Sequence, residues 1–239
     1  MPAPDRPTAA AVIVGAGRGA RFGAADKIIA SLAGRPVLAY SLDAVQSAAT
    51  IEAIVVVAGE HTQEIVVELT ASGKWPKVVA TVTGGDRRQD SVAAGLAAVP
   101  AGIDLVAVHD AARPLAPPAL FDACLAAARH SGAAIAAIPV ADTLKRVAGG
   151  RIVATVSRES LWAAQTPQAF RLDLLRRAFT EANERRLDVT DEASLLEALG
   201  IPVSVVPGSL ANLKITRPED LAFAEALVAA RKHTLRGTP

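Results

Sequence analysis

The stretch Ala9-Ala10-Ala11-Val12-Ile13-Val14-Gly15-Ala16-Gly17-Arg18-Gly19-Ala20-Arg21-Phe22-Gly23 decides the fold class. Residues 9–14 form a short, continuous apolar run that stops at Gly15. Similar runs stand at 54–58, 78–82, 105–108 and 134–139. Uninterrupted Val, Ile and Ala suit parallel strands buried on both faces. Helical spacing lies between the runs: Leu38, Leu42 and Val45 fall at i, i+4, i+7, as do Val92, Leu96 and Val99. Strand and helix in alternation predict an α/β fold, a doubly wound, parallel sheet. Right-handed crossovers then gather the C-terminal ends of the strands on one edge, where ligands bind.

The rhythm breaks at 141–157. Two β-capable runs, 142–147 and 151–156, flank a Gly149-Gly150 turn and read as a hairpin that projects from the βα repeat as an arm. A lone two-stranded hairpin is marginal in water, so the arm calls for a partner and predicts a homodimer. Helices follow at 172–184 and 191–199, then a strand at 203–206. The last helix is expected to open at Thr216, where Thr216-Arg217-Pro218-Glu219 has the capping-box pattern. Residues 1–239 are read as one domain, with 141–157 as a dimerisation arm within it.

Composition narrows the function classes. The chain has 239 residues, 51% hydrophobic and 21% charged, which is enough apolar material for a sizeable core. A formal net charge of +1 gives no electrostatic footprint for nucleic acid or an anionic membrane, while leaving room for a local basic pocket. Cys124 is the only cysteine, so no intrachain disulfide can form, and its Ala/Leu-rich setting reads as inert core. Residues 1–8 lack the apolar core of a signal peptide, and no apolar run is long enough to span a bilayer. A cytoplasmic protein is expected.

Four clusters carry candidate chemistry. In the first, glycines after the opening strand let backbone N–H groups approach a phosphate, and Arg18, Arg21 and Lys27 add positive charge. The Walker lysine-serine pair is absent, and the third glycine is misplaced for a dinucleotide fingerprint. The second cluster, Gly84-Gly85-Asp86-Arg87-Arg88-Gln89-Asp90-Ser91, lies between a strand and a helix, placed to bind a base or phosphate. The lesser reading is a charged loop with Asp90 or Ser91 as N-cap. The third, His109-Asp110-Ala111-Ala112-Arg113-Pro114, puts a carboxylate and a guanidinium at a strand end; as a mere surface pair they would stabilise little. The fourth gathers Thr143, Arg158, Thr166-Pro167-Gln168, Thr190-Asp191-Glu192 and Asn212-Leu213-Lys214, each bland alone. Thr190 and Asp191 fit a helix start, and Lys214 an exposed loop.

Six stretches in order (15–22 with Lys27, 84–92, 109–114, 139–146, 161–170 and 212–221) resemble the 2-C-methyl-D-erythritol 4-phosphate cytidylyltransferase family, over roughly residues 9 to 230. The resemblance implies a Rossmann-like, mostly parallel fold, a homodimer with interlocked arms, and Mg²⁺-dependent transfer of CMP from CTP to methylerythritol phosphate. It implies catalytic roles for Arg21, Lys27, Arg158 and Lys214, the first two at the α-phosphate. It assigns Gly15, Ala16, Gly17 and Gly19 to the triphosphate, and Gly85, Asp86 and Ser91 to cytosine and ribose. Asp110 and Arg113, with Lys214, would position the acceptor, and Thr143, Arg158 and Thr166 would reach the acceptor site of the other subunit. No histidine has metal-ligand spacing, so Mg²⁺ is expected on the triphosphate and water, with Asp110 the candidate protein contact.

The chain departs from the family pattern at three places: Gly15 where alanine is common, Ala20 where a polar residue is common, and Asp26-Lys27-Ile28 in place of Pro-Lys-Gln. The last string also resembles the molybdopterin nucleotidyltransferases. A ribitol 5-phosphate cytidylyltransferase and a non-catalytic CTP-binding domain stand as the other readings.

Overall fold

The computed structural model describes residues 8–17, 22 and 26–236. In chain order the strands are β1 (Ala9–Gly15), β2 (Ser31–Leu32), β3 (Arg35–Pro36), β4 (Ile51–Ala58), β5 (Val78–Thr83), β6 (Leu105–Asp110), β7 (Ala133–Pro139), β8 (Leu144–Ala148), β9 (Arg151–Val156), β10 (Trp162–Arg171) and β11 (Ser204–Pro207). The α-helices are α1 (Val37–Gln46), α2 (Gln63–Ala71), α3 (Arg88–Ala97), α4 (Pro118–Ser131), α5 (Leu172–Arg185), α6 (Glu192–Ala198) and α7 (Glu219–Arg236).

Seven strands form the central sheet in the order β11-β7-β10-β6-β1-β4-β5. Strand β1 shows why its sequence reads as an apolar run. Ala9, Ala11 and Ile13 point into one core with Leu38 and Leu42 of α1 and Phe121 and Leu125 of α4. Ala10 and Val12 point into the other, against Val92 and Leu96 of α3, Leu175 and Phe179 of α5, and Leu195 of α6. Side chains alternate across a strand, so helices on both faces demand apolar residues at every position. A third, smaller cluster packs α7 through Ala224 and Val228 against Leu32, Val37, Leu115 and Ile215.

The pairings β1–β4, β4–β5, β1–β6 and β7–β11 are parallel, as expected. Strand β10 is the finding that the sequence pattern did not reveal. It inserts between β6 and β7, antiparallel to both, and its register breaks between Ala164 and Gln168. Its sequence, Trp-Ala-Ala-Gln-Thr-Pro-Gln-Ala-Phe-Arg, has few β-branched residues and a proline that cannot donate to a ladder. Tertiary pairing overrides that weak propensity.

The hairpin forms its own two-stranded sheet of β8 and β9, with φ of 54° and 75° at Gly149 and Gly150. Its first strand starts at Leu144 rather than at residue 142. The last helix begins at Glu219, not Thr216. The Thr216–Glu219 box does not form; instead the Asp220 carboxylate accepts from Thr216 N at 2.7 Å, Thr216 Oγ1 at 2.8 Å and Arg217 N at 2.9 Å. Helix α6 opens where expected, with Asp191 capping Ser194 N at 2.9 Å. At α3 neither Asp90 nor Ser91 is the N-cap: Arg87 is, and Asp90 reaches back to its N–H. Cys124 is fully buried, and burial pushes its thiol up to about 12, which fits inert core. No helix among the described residues is long and apolar enough to cross a membrane.

One buried polar residue locks the sheet centre. His109 on β6 is fully buried, edge-on to Phe121 at 4.8 Å between ring centroids. Its Nε2 lies 3.1 Å from the Arg113 carbonyl, which can only accept, so Nε2 carries the proton. Nδ1 then accepts from the Thr166 hydroxyl at 3.0 Å, and that hydroxyl accepts from Asp110 N, also at 3.0 Å. The neutral imidazole thereby ties β6 to β10.

Burial lowers the His109 pKa from 6.5 to about 4. Between these values the unfolded chain binds the extra proton, so this residue's contribution to stability is lost as pH falls from about 6.5 towards about 4. In His109→Asn the amide oxygen can still accept from Thr166 without titrating. The fall in melting temperature across that window is expected to be shallower in His109→Asn than in the wild type; equal slopes would contradict the assignment.

Candidate functional site

The C-terminal ends of β1, β5 and β6 open onto one cleft. Its first lobe is lined by Gly15, Gly17, Lys27, Gly85, Asp86, Arg87, Arg88, Ser91, Asp110 and Lys214. A second lobe is lined by Arg113, Thr166, Gln168, Thr190 and Asp191 and shares Arg88, Asp110 and Lys214 with the first. Two lobes meeting at one charged cluster can hold two ligands side by side.

Asp110 is the centre of that cluster. Its Oδ2 lies 2.7 Å from Lys214 Nζ and 3.8 Å from Arg113 Nε, and its Oδ1 lies 3.4 Å from Arg88. Asp110 and Arg113 side chains are each only 11% exposed, so they are not a solvated surface pair. Burial alone would raise the Asp110 pKa, but Lys214, Arg88 and Arg113 together outweigh it and hold the carboxyl well below the usual range. Arg88 is pushed the other way: desolvation opposes its charge, yet Glu192 and Asp110 raise its pKa further. Arg113 is lowered by burial, against the pull of Asp110.

Three parts of the chain supply the cluster, with Arg113 in the turn directly after Asp110. Asp110 ends β6, and Arg88 begins α3. Lys214 is brought in by the loop after β11. Asn212, fully buried, donates to the Thr166 carbonyl at 2.8 Å and to Gln165 Oε1 at 3.1 Å, while its own carbonyl accepts from Arg113 at 2.8 Å. Lys214 is therefore a positioned cation, not a loose loop lysine. Gln168 on β10 docks α6, donating to Asp191 at 2.8 Å and accepting from Ala193 N at 3.1 Å.

The departures around Lys27 have a structural explanation. A Cβ at Gly15 would stand 2.9 Å from Ile28 Cδ1, so glycine at 15 makes room for isoleucine at 28. Asp26 is buried; its Oδ1 accepts from Ile28 N at 3.0 Å, and its Oδ2 lies 2.7 Å from His61 Nε2. Lys27 therefore leaves an anchored turn and lines the first lobe. Gly84 performs a similar service, because a Cβ there would meet Ala16 Cβ at 2.3 Å and Ser91 Oγ at 2.6 Å. That close approach brings the loop after β5 against the loop after β1.

Of the expected site residues, Gly15, Gly17, Lys27, Gly85, Asp86, Ser91, Asp110 and Lys214 line the first lobe, and Arg113 and Thr166 the second. Ala16 sits in the same loop, packed towards Gly84. Arg21 and Gly19 lie outside the described residues. Thr143 and Arg158 are exposed near the base of the arm, not among the lining of this chain's cleft; the Arg158 guanidinium donates to the Ala141 carbonyl. Arg88, Gln168 and Glu192, members of the second and fourth sequence clusters to which the sequence assigns no role of their own, belong to the site's framework. Arg88 carried a signal, as a basic residue in a glycine-rich loop at a helix start. Glu192 stood in the Thr190-Asp191-Glu192 string, but nothing local marked its pairing with Arg88, 104 residues away.

Fixed cations and backbone N–H groups suit the binding of phosphates and the stabilisation of charge that shifts between them. His109 is buried, neutral and committed to Thr166 and Arg113, so it is not placed as a base for an incoming ligand. Among the described residues no three His, Cys, Asp or Glu side chains converge as a metal-binding group. The carboxylates on the first lobe are Asp86 and Asp110.

The chain is similar to known proteins over most of its length. The family model for IspD, 2-C-methyl-D-erythritol 4-phosphate cytidylyltransferase, matches residues 9–230. The enzyme of that name from Synechococcus elongatus is 44% identical over 225 residues, 93% of this chain and 97% of the relative. Its counterpart from Pelotomaculum thermopropionicum is 45% identical over 231 residues, 95% of this chain and 96% of the relative. Among solved structures, the 4-diphosphocytidyl-2C-methyl-D-erythritol synthase of Anaerococcus prevotii superposes with a TM-score of 0.83 at 29% identity, covering 94% of this chain and 97% of that one. The cytidylyltransferase of Thermus thermophilus gives 0.74 at 35% identity, over 92% and 98%. The chain belongs to the 2-C-methyl-D-erythritol 4-phosphate cytidylyltransferase family.

Proposed function

We propose that the chain transfers CMP from CTP to 2-C-methyl-D-erythritol 4-phosphate. An oxygen of the acceptor phosphate attacks the α-phosphorus; the bond from that phosphorus to the bridging oxygen breaks, and pyrophosphate leaves. The observation that carries this reading is the Asp110 cluster, shared by two lobes that each suit one phosphorylated substrate. The attacking oxygen is already anionic, so no general base is required. What the reaction needs is alignment and relief of charge repulsion, and a cleft of fixed cations supplies both.

The residues divide accordingly. Lys27 and the backbone of Gly15 to Gly17 hold the triphosphate, a task the family resemblance also gives to Arg21 and Gly19. Gly85, Asp86 and Ser91 recognise cytosine and ribose. Asp110 orients Lys214, Arg88 and Arg113 at the junction, where the acceptor phosphate meets the α-phosphate, and Thr166 holds Asp110. Mg²⁺ fits a site with two carboxylates rather than a protein cage, since this ion keeps its waters and binds through substrate phosphates plus one or two carboxylates. Asp110 would be its protein contact, and the ion would neutralise phosphate charge.

The arm supports a homodimer. Val147, Ile152 and Val153 are 57%, 66% and 57% exposed on β8 and β9, and a second copy would cover them. The same pairing would deliver Thr143 and Arg158 to the neighbouring acceptor lobe. A cytoplasmic location fits a chain whose one cysteine is a buried, protonated thiol.

Purified protein with CTP and Mg²⁺ is expected to release pyrophosphate with 2-C-methyl-D-erythritol 4-phosphate and not with ribitol 5-phosphate or molybdopterin. Release with ribitol 5-phosphate alone would overturn the acceptor and keep the reaction class. CTP binding without release on any acceptor would point to a nucleotide-sensing domain. Sedimentation at micromolar concentration is expected to give a dimer that Ile152→Asp weakens; a monomeric wild type would contradict the role of the arm.

A further inference from the structure

Glu192 is the first residue of α6 and is 2% exposed. Its Oε1 lies 2.6 Å from one terminal nitrogen of Arg88, and its Oε2 has no hydrogen-bond partner among the described residues. A carboxylate in this position is expensive. Desolvating it costs several kcal/mol even after relaxation, and a well-packed apolar side chain often serves a fold better than a buried ion pair. Burial accordingly pushes the Glu192 carboxyl up, against the pull of Arg88. Packing alone gives no reason for the charge.

The reason lies on the other side of the guanidinium. The second terminal nitrogen of Arg88 faces Asp110 at 3.4 Å, a longer and weaker contact than the 2.6 Å bond to Glu192. Arg88 lines both lobes of the cleft, which meet beside it. Without Glu192, the nearest anion to Arg88 is Asp110, and a planar fork facing one carboxylate closes on it in bidentate fashion. That closure would draw Arg88 across the junction and set it against Lys214 for the same carboxylate.

Resting on the transferase reading of the cleft, we propose that Glu192 is a positioning residue: from outside the cleft it splits the Arg88 fork between two carboxylates and so holds the guanidinium at the boundary of the nucleotide and acceptor lobes. The arrangement requires arginine, since a lysine ammonium is a point charge that cannot span both anions. Helix α6 fixes the carboxylate through the Asp191–Ser194 cap and through Gln168, which joins Asp191 and Ala193 to β10.

The two roles open to Glu192 separate in steady-state kinetics. If it only balanced charge, Glu192→Gln would remove an anion near a triphosphate, lowering KM for CTP and leaving kcat alone. If it positions Arg88, kcat falls about tenfold or more. The experiment measures pyrophosphate release by wild type, Glu192→Gln, Arg88→Ala and the double variant, with thermal unfolding as the check on folding. The expected result is a loss of kcat in Glu192→Gln that disappears in the Arg88→Ala background, because the two side chains act as one unit. Unchanged kcat in Glu192→Gln, or an equal loss in both backgrounds, overturns the proposal. Should Glu192→Gln fail to fold, Arg88→Lys decides: a kcat loss of about tenfold is expected, and unchanged kcat overturns it. An inactive wild type would refute the transferase reading itself, a result distinct from either of these.

Discussion

A buried carboxylate among cations is the constraint on which the site depends. Asp110 takes Lys214 at 2.7 Å, with Arg88 and Arg113 farther out, and these come from three different parts of the chain. Three cations gathered in a partly desolvated cleft would repel one another without an anion between them. Lys214 and its neighbours keep the Asp110 carboxyl ionised across the physiological range, so the arrangement exists before any substrate arrives. Preorganisation of this kind is what charge-shifting chemistry rewards, because dipoles and charges need not reorganise during the reaction.

The fold serves that carboxylate. Strand β6 carries it beside β1, buried under helices on both faces, and β10 crosses between β6 and β7 to bring Thr166 to its N–H. His109 closes the connection from below as a neutral ring. Chemistry at the strand ends and packing beneath them therefore share residues. The same economy appears around Lys27, where Gly15 with Ile28 and Asp26 with His61 form two compensating pairs. The unusual Asp26-Lys27-Ile28 string is an alternative anchoring of the same lysine, and it needs no change of ligand to explain it.

Much of this was legible in the sequence, for physical reasons. Strands buried on both faces leave continuous apolar runs, so β1, β4, β6 and β7 announced themselves. Glycine-rich and charged strings at their ends marked the edge where the cleft lies, and Lys27, Ser91, Asp110 and Lys214 all line it. What stayed hidden was non-local. Strand β10 has a sequence of low β propensity and exists because its neighbours pair with it. The Glu192–Arg88 pair joins residues 104 apart. The start of α7 was misplaced because Asp220, rather than the Thr216 side chain, satisfies the exposed N–H groups. Local rules describe a helix end well only when the cap is the expected residue.

The account stands most directly on Asp110→Asn, which keeps the shape of the side chain and removes the charge. Single-turnover CMP transfer by this variant, with CTP binding and thermal unfolding confirming a folded cleft, measures what the buried anion contributes. A fall of about 10²-fold or more in the transfer rate is predicted, since the cations would no longer be held in register. A rate within about twofold of the wild type would contradict the claim that the Asp110 charge organises the site.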